Sequence, residues 1–216
     1  PLWLYFATLV PSLLVVMAAA AQPWVPVADL LQDPLTVVKR VENVRPSAHY
    51  GFVSNLGVLL WCAAASVCLF VAVLLVSLGS SRREIAFMIY AGSLTLLLML
   101  DDLLLGHEVI YRFLFSMTEK HVLAVYMIAT LAYLALFWRL ILRVDFEILV
   151  IGLGMFGLSA LMDSDQAHPD RLGLVMEDGA KFLGITAWAA FHLRAAWQLA
   201  KWTSDESRFT SDRAAR

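Results

Sequence analysis

"GFVSNLGVLLWCAAASVCLFVAVLLVSL", residues 51–78, holds no charged side chain from its first position to its last. A bilayer core about 30 Å thick needs roughly 20 such residues in a helix, so this run reads as a membrane span rather than as the core of a soluble domain. Five further segments meet or approach that length: Leu2 to Ala21, Ile85 to Leu105, His121 to Leu142, Phe146 to Met162 and Leu174 to Ala200. Composition agrees, because 61% of the 216 residues are hydrophobic and 16% are charged, against roughly 25% charged in soluble domains. The expected fold is all-α, a polytopic bundle of six transmembrane helices forming one domain over residues 1–202, with a polar cytoplasmic tail over 203–216 that is loosely ordered.

The formal net charge of −2 excludes the basic excess of a nucleic-acid-binding protein; the expected surroundings are a lipid bilayer and, on one reading, membrane-protein partners. Arg82 and Arg83 follow the second span, Arg139 and Arg143 end the fourth, and Lys201 and Arg208 follow the sixth. Positive charge gathers on the cytoplasmic side, so both termini are expected there, in a bacterial inner membrane. The opening "LLVVMAAAAQPW" has the small residues of a cleavage site but is read as a retained anchor. Residues 22–50 form the longest outer loop. Its prolines forbid one continuous helix, while Leu35, Val38, Val41 and Val44 recur at near-helical spacing, which predicts a short amphipathic helix on the outer membrane surface. Cys62 and Cys68 share a helix on different faces and make no metal or disulfide motif.

"GLGMFG", residues 152–157, has the spacing of a dinucleotide-binding loop but not the strand before it that gives the pattern its mechanism. Inside a span, small residues allow close helix packing instead.

The unusual polar residues converge. By the orientation the arginines assign, Asp101, Asp102, His107 and Glu108 end the third span on the outer side, Glu177, Asp178 and Lys181 begin the sixth there, and Ser54 and Asn55 begin the second. At 100° per residue, Asp101, Leu105 and Glu108 share a helical face while Asp102 and His107 point elsewhere, with Gly106 a plausible bend. Glu177 and Lys181 stand four apart and can pair. His192 lies far inward of that level and reads as a packed or inner-site histidine.

Adjacent carboxylates among apolar neighbours are costly unless something positive joins them. A divalent cation supplies that charge: carboxylates suit magnesium, calcium or manganese, and adding His107 admits zinc or iron. The expected metal ligands are Asp101, Asp102, His107, Glu108, Glu177 and Asp178, with Ser54, Asn55 and Lys181 in support. If such a metal activated water, Asp101 or Glu177 would be the candidate catalytic base. The bland alternative pairs Glu108 with Arg112 and leaves Glu177 and Asp178 as helix N-terminal charges. A cation or proton pathway would need polar steps through the membrane, and Ser66, Ser93, Thr95, Thr130, Thr186 and His192 are few. A non-catalytic accessory or assembly subunit of a larger membrane complex is a further reading.

"YGFVSNLGVLLW", "LDDLLLGHE" and "MEDGAKFLGITAW" together resemble a family of uncharacterised multi-spanning bacterial membrane proteins. "FVSN" with Ser54, an aspartate at 101 or 102, and "AWAAFH" with His192 are also faintly similar to the alkaline ceramidase superfamily, a resemblance that implies metal-dependent hydrolysis of a lipid-like substrate. The chain departs from that superfamily in having six spans rather than seven and alanine at position 196, where a paired histidine would stand.

Overall fold

A computed structural model describes residues 2–40, 47–105, 111, 118–163 and 171–214. They form helices α1 (Leu2–Ala21), α2 (Val27–Leu31), α3 (Pro34–Arg40), α4 (Phe52–Ser77), α5 (Arg82–Leu104), α6 (Glu119–Ile141), α7 (Phe146–Asp163) and α8 (Arg171–Ala214). The chain is all-α among the described residues. Five helices, α1, α4, α5, α6 and α7, are long and apolar enough to cross a membrane.

The sixth expected span lies inside α8 and falls outside that set. Its polar residues account for the difference, since Glu177, Asp178, Lys181, His192, Arg194 and Gln198 lower its hydropathy; on one side of it Phe191, His192, Ala195, Ala196 and Leu199 are all 0–1% exposed. The other side is open, with Trp197 65% exposed, so the helix is only partly enclosed and carries His192, Arg194 and Gln198 where each finds a partner. The same helix continues through the stretch expected to be loose, to Ala214. Neither glycine nor proline occurs after Lys201 to stop it.

The chain divides into two compact units, residues 1–60 with 147–190 and residues 61–146 with 191–216. In the first, α1 turns an inverted pattern inward: Thr8, Ser12, Val16 and Ala19 are buried while Phe6, Leu14 and Met17 are more than half exposed. Spacings of four, four and three make the buried set one helical face, and its small residues permit close packing while the large apolar ones face lipid. Gly179 provides the opposite groove, where an added Cβ would come 2.9 Å from Val16 Cγ1.

The connection between α1 and α4 packs within this unit through α2, whose Val27 and Leu31 join Val16, Ala19, Val53 and Phe182 in one core. A short helix is present in this segment as α3. Val37 is fully buried, whereas Leu35 and Val38 are about half exposed; Val41 and Val44 lie outside the described residues. The loop closes at Gly51, which has φ +65° and a position for Cβ 2.4 Å from Pro34 Cδ, and whose N–H donates to the Asp29 carbonyl at 2.8 Å. Gly51→Ala should therefore cost roughly 2 kcal/mol through the left-handed backbone alone, with the proline clash added. Thermal unfolding together with faster proteolysis within residues 22–50 would show it; unchanged cleavage would mean the loop is held elsewhere.

In the second unit, α5 starts at a complete capping box: Ser81 Oγ accepts from the Glu84 N–H, and the Glu84 carboxylate accepts from the Ser81 N–H. On α6, Val122, Tyr126, Tyr133, Phe137 and Leu140 are buried. That i, i+4, i+7 repeat is one face, and it brings two tyrosines seven positions apart into the protein.

Candidate functional site

The two aspartates of α5 are both buried, Asp101 at 7% and Asp102 at 8% exposure. Helical extrapolation separates them and carries the Asp101 face on to Glu108. In the structure α5 ends at Leu104, and Leu105 adopts φ 48° and ψ 47°, its N–H donating to the Asp101 carbonyl. Left-handed backbone costs a leucine about 1–2 kcal/mol. Leu105 is 2% exposed, so burial of its side chain offsets that strain. The chain thus turns one residue before the glycine expected to bend it. His107 and Glu108 lie outside the described residues, as does Arg112.

Around Asp101 the structure gathers groups that spacing does not reveal. The Tyr126 hydroxyl lies within hydrogen-bonding reach of the Asp101 carboxylate and is 3.4 Å from the Tyr111 hydroxyl. Asp101 Oδ1 and Asp102 Oδ2 are buried oxygens accepting no hydrogen bond, although both residues interact through other atoms. The described part of this end of the unit is therefore acidic and phenolic.

Glu177, Asp178 and Lys181 belong to the first unit. Glu177 is half-buried and in electrostatic range of Asp163 and of Lys181, four residues on, as the helical spacing predicts. Ser54 and Asn55, at the start of α4, are half-buried and exposed respectively. Among the described residues, no group of three or more His, Cys, Asp or Glu is placed to hold a metal ion.

Deeper in the second unit is a polar pair that sequence reading only half identified. His192 Nε2 stands 3.0 Å from the Tyr133 hydroxyl, and both residues are 0% exposed. Phe87 and Tyr90 stack on Tyr133, and Phe191 meets the histidine ring edge-on. Cys68 of α4 is close enough to interact electrostatically with Tyr133. Further along α8, Arg194 Nε donates to Asp145 Oδ2 at 2.8 Å, with Gln198 beside the pair.

The "GLGMFG" stretch contributes packing, as its setting in a span implies. A Cβ on Gly152 would meet the Gly184 carbonyl and the Trp188 nitrogen at 3.2 Å, and one on Gly184 would meet Phe156 Cδ1 at 2.8 Å. Gly154 and Gly157 face open space.

A family model covers residues 4–195, which takes in α1 to α7 and α8 as far as Ala195. The chain belongs to the family described as domain of unknown function DUF8692. Membership fits the resemblance to uncharacterised multi-spanning proteins and gives no support to the ceramidase likeness. Within this DUF8692 domain the histidine of that likeness, His192, is engaged by Tyr133. No curated protein and no solved structure matches the chain.

Proposed function

We propose that this DUF8692 protein crosses the bacterial inner membrane six times, with both termini cytoplasmic, and takes up a divalent cation at an outward-facing carboxylate site built on Asp101 and Asp102. One observation carries the reading: two consecutive carboxyl groups are more than nine-tenths buried at the end of a membrane helix. Like charges so placed repel one another unless something positive joins them. The α8 segment supplies the sixth crossing, its polar residues turned toward protein rather than lipid.

The donor chemistry fits a hard cation, because two carboxylates with a phenol at hand are oxygen ligands. Further ligands would come from His107 and Glu108, which follow directly in sequence. When bound, the ion would neutralise the aspartates and could polarise a substrate oxygen or water; Asp101 is then the candidate base.

The test is thermal unfolding of the purified full-length protein, metal-analysed beforehand, with chelator and then with magnesium, calcium, manganese or zinc restored. A cation at a hundred times its Kd stabilises by about 2.7 kcal/mol, which is roughly 5–10 °C for a chain of this size. Chelation should remove that increment, and Asp101→Asn with Asp102→Asn should abolish the response. If the protein carries no metal, ignores chelator and tolerates both substitutions, the reading is wrong, and an accessory subunit that docks in a larger membrane complex takes its place.

A further inference from the structure

The basic side chains of the second unit gather at one end of it, and three contacts bring them there. Ser80 Oγ donates to Thr203 Oγ1 at 2.9 Å, which sets the start of α5 beside α8. Arg83 donates to the Leu136 carbonyl at 3.0 Å, which sets the same start beside the last turns of α6, and Arg194 reaches Asp145 just beyond α6. Six described cations, Arg82, Arg83, Arg139, Arg143, Arg194 and Lys201, therefore share this end with three described acids, Glu84, Asp145 and Asp205. Two of the acids are engaged: Glu84 accepts from Ser81 in the capping box, and Asp145 holds Arg194. Glu147, which follows in the first unit, accepts from the Tyr5 hydroxyl. Arg82, Arg139, Arg143 and Lys201 are exposed and have no carboxylate partner among the described residues.

On two helices these cations end an exposed apolar stripe. Leu131, Ala135, Trp138 and Leu142 recur at i, i+4, i+7 and i+11 along α6 and its C-cap, and all are exposed, so they form one outward face. Arg139 and Arg143 directly follow the last two. On α8, Leu193, Trp197 and Lys201 stand four apart and are exposed in the same way; from the leucine to the lysine the helix rises about 12 Å. Each face passes from leucine to tryptophan to cation, the order in which a bilayer presents acyl chains, interface and headgroups. The Arg139 guanidinium lies over the Trp138 ring, 5.2 Å from its centroid, which holds the charge at the level of the indole. A soluble acidic partner would complement the cations but would leave the leucines and tryptophans beneath them without a role.

We propose that this end of the second unit binds anionic phospholipids, with headgroup phosphates on Arg82, Arg139, Arg143 and Lys201 and acyl chains along the exposed faces of α6 and α8. The inference goes beyond the divalent-cation reading and does not depend on it. Each cation near an anionic leaflet adds its own attraction, so their contributions multiply in the binding constant. Arginine suits the task because its planar fork bonds two phosphate oxygens at once. Arg83 and Arg194 stand outside the set, since the Leu136 carbonyl and Asp145 already occupy them.

Full-length protein in detergent micelles is titrated with phosphatidylglycerol or with phosphatidylcholine of the same acyl chains, and bound lipid is read by native mass spectrometry. Chelator is present throughout, so the outcome is independent of cation binding at Asp101 and Asp102. Phosphatidylglycerol should bind about tenfold more tightly than phosphatidylcholine at about 50 mM salt, and about 500 mM salt should remove most of that preference. Arg82→Gln with Lys201→Gln should lower the preference about threefold, and adding Arg139→Gln and Arg143→Gln should abolish it. Lys120→Gln, at the opposite end of α6, should leave it unchanged. Thermal unfolding without lipid shows whether the quadruple variant folds; if it does not, the double variant, whose side chains hold no ion pair among the described residues, decides. Equal binding of the two lipids by the wild type would overturn the inference and leave the cations as side chains extended into water, as would folded variants with the preference intact. Inorganic phosphate at the lipid's concentration should not compete; displacement of the lipid by phosphate would make the site one for a free anion and overturn the lipid assignment.

Discussion

Gly184→Leu should lower the stability of the first unit by about 3 kcal/mol, the upper part of the usual range for inserting bulk into a packed site. Even a single Cβ at this position falls 2.8 Å from Phe156 Cδ1 and 3.2 Å from the Gly152 carbonyl. The second of these neighbours is backbone and can move only with its helix. Leucine therefore forces α7 and α8 apart, and the edge-on contact of Phe156 with Trp188, centroids 6.4 Å apart, is lost with them. In a bilayer that loss is not recovered by hydrophobic burial, because lipid tails are as apolar as the helix faces they replace; close van der Waals packing between small residues is what holds the pair. Gly157→Leu is the control, since nothing lies within 4 Å of its added Cβ. Thermal unfolding in detergent should show a large drop for Gly184→Leu and little change for Gly157→Leu. Equal behaviour of the two would mean that the glycine contact does not hold α7 against α8.

Arg194→Leu should produce the second large loss, of about 2 kcal/mol. Removing one partner of a fully buried ion pair costs roughly 3–5 kcal/mol, mostly because the other charge is left behind. The Arg194 and Asp145 side chains are 26% and 18% exposed, so solvent screening reduces that figure. Asp145 also directly precedes α7, where a negative charge meets the positive end of the helix dipole. Leucine at both positions should recover much of the loss, because the desolvation penalty disappears along with the attraction. The check is a double-mutant cycle by thermal unfolding: Arg194→Leu, Asp145→Leu and the pair together. Strictly additive losses would show that the two side chains are not coupled.

Hydropathy alone made the membrane reading legible, since lipid imposes it on every exposed face of α1, α4, α5, α6 and α7. The packing role of Gly152 could also be read, because a glycine motif without its strand has nothing to bind. Glu177 beside Lys181 followed from helical spacing. Local rules of this kind succeed where the helix is continuous and the relevant neighbour lies one turn away.

They fail where the helix ends or a partner comes from distant sequence. The left-handed turn at Leu105 ends α5 there, and no residue type there signals it, because burial of a leucine side chain and not backbone preference selects that conformation. Tyr126 and Tyr133 read as ordinary aromatic residues of an apolar span until tertiary packing set one beside Asp101 and the other against His192. The α8 segment falls short of the hydropathy of a span because it carries His192, Arg194 and Gln198, which find their partners in Tyr133 and Asp145. Sequence determined the medium, the helical class and the acids at the end of α5, for these depend on composition and on neighbours within a turn. Which hydroxyl meets which carboxylate or imidazole depends on contacts 25 to 59 residues apart, and only the tertiary structure decides them.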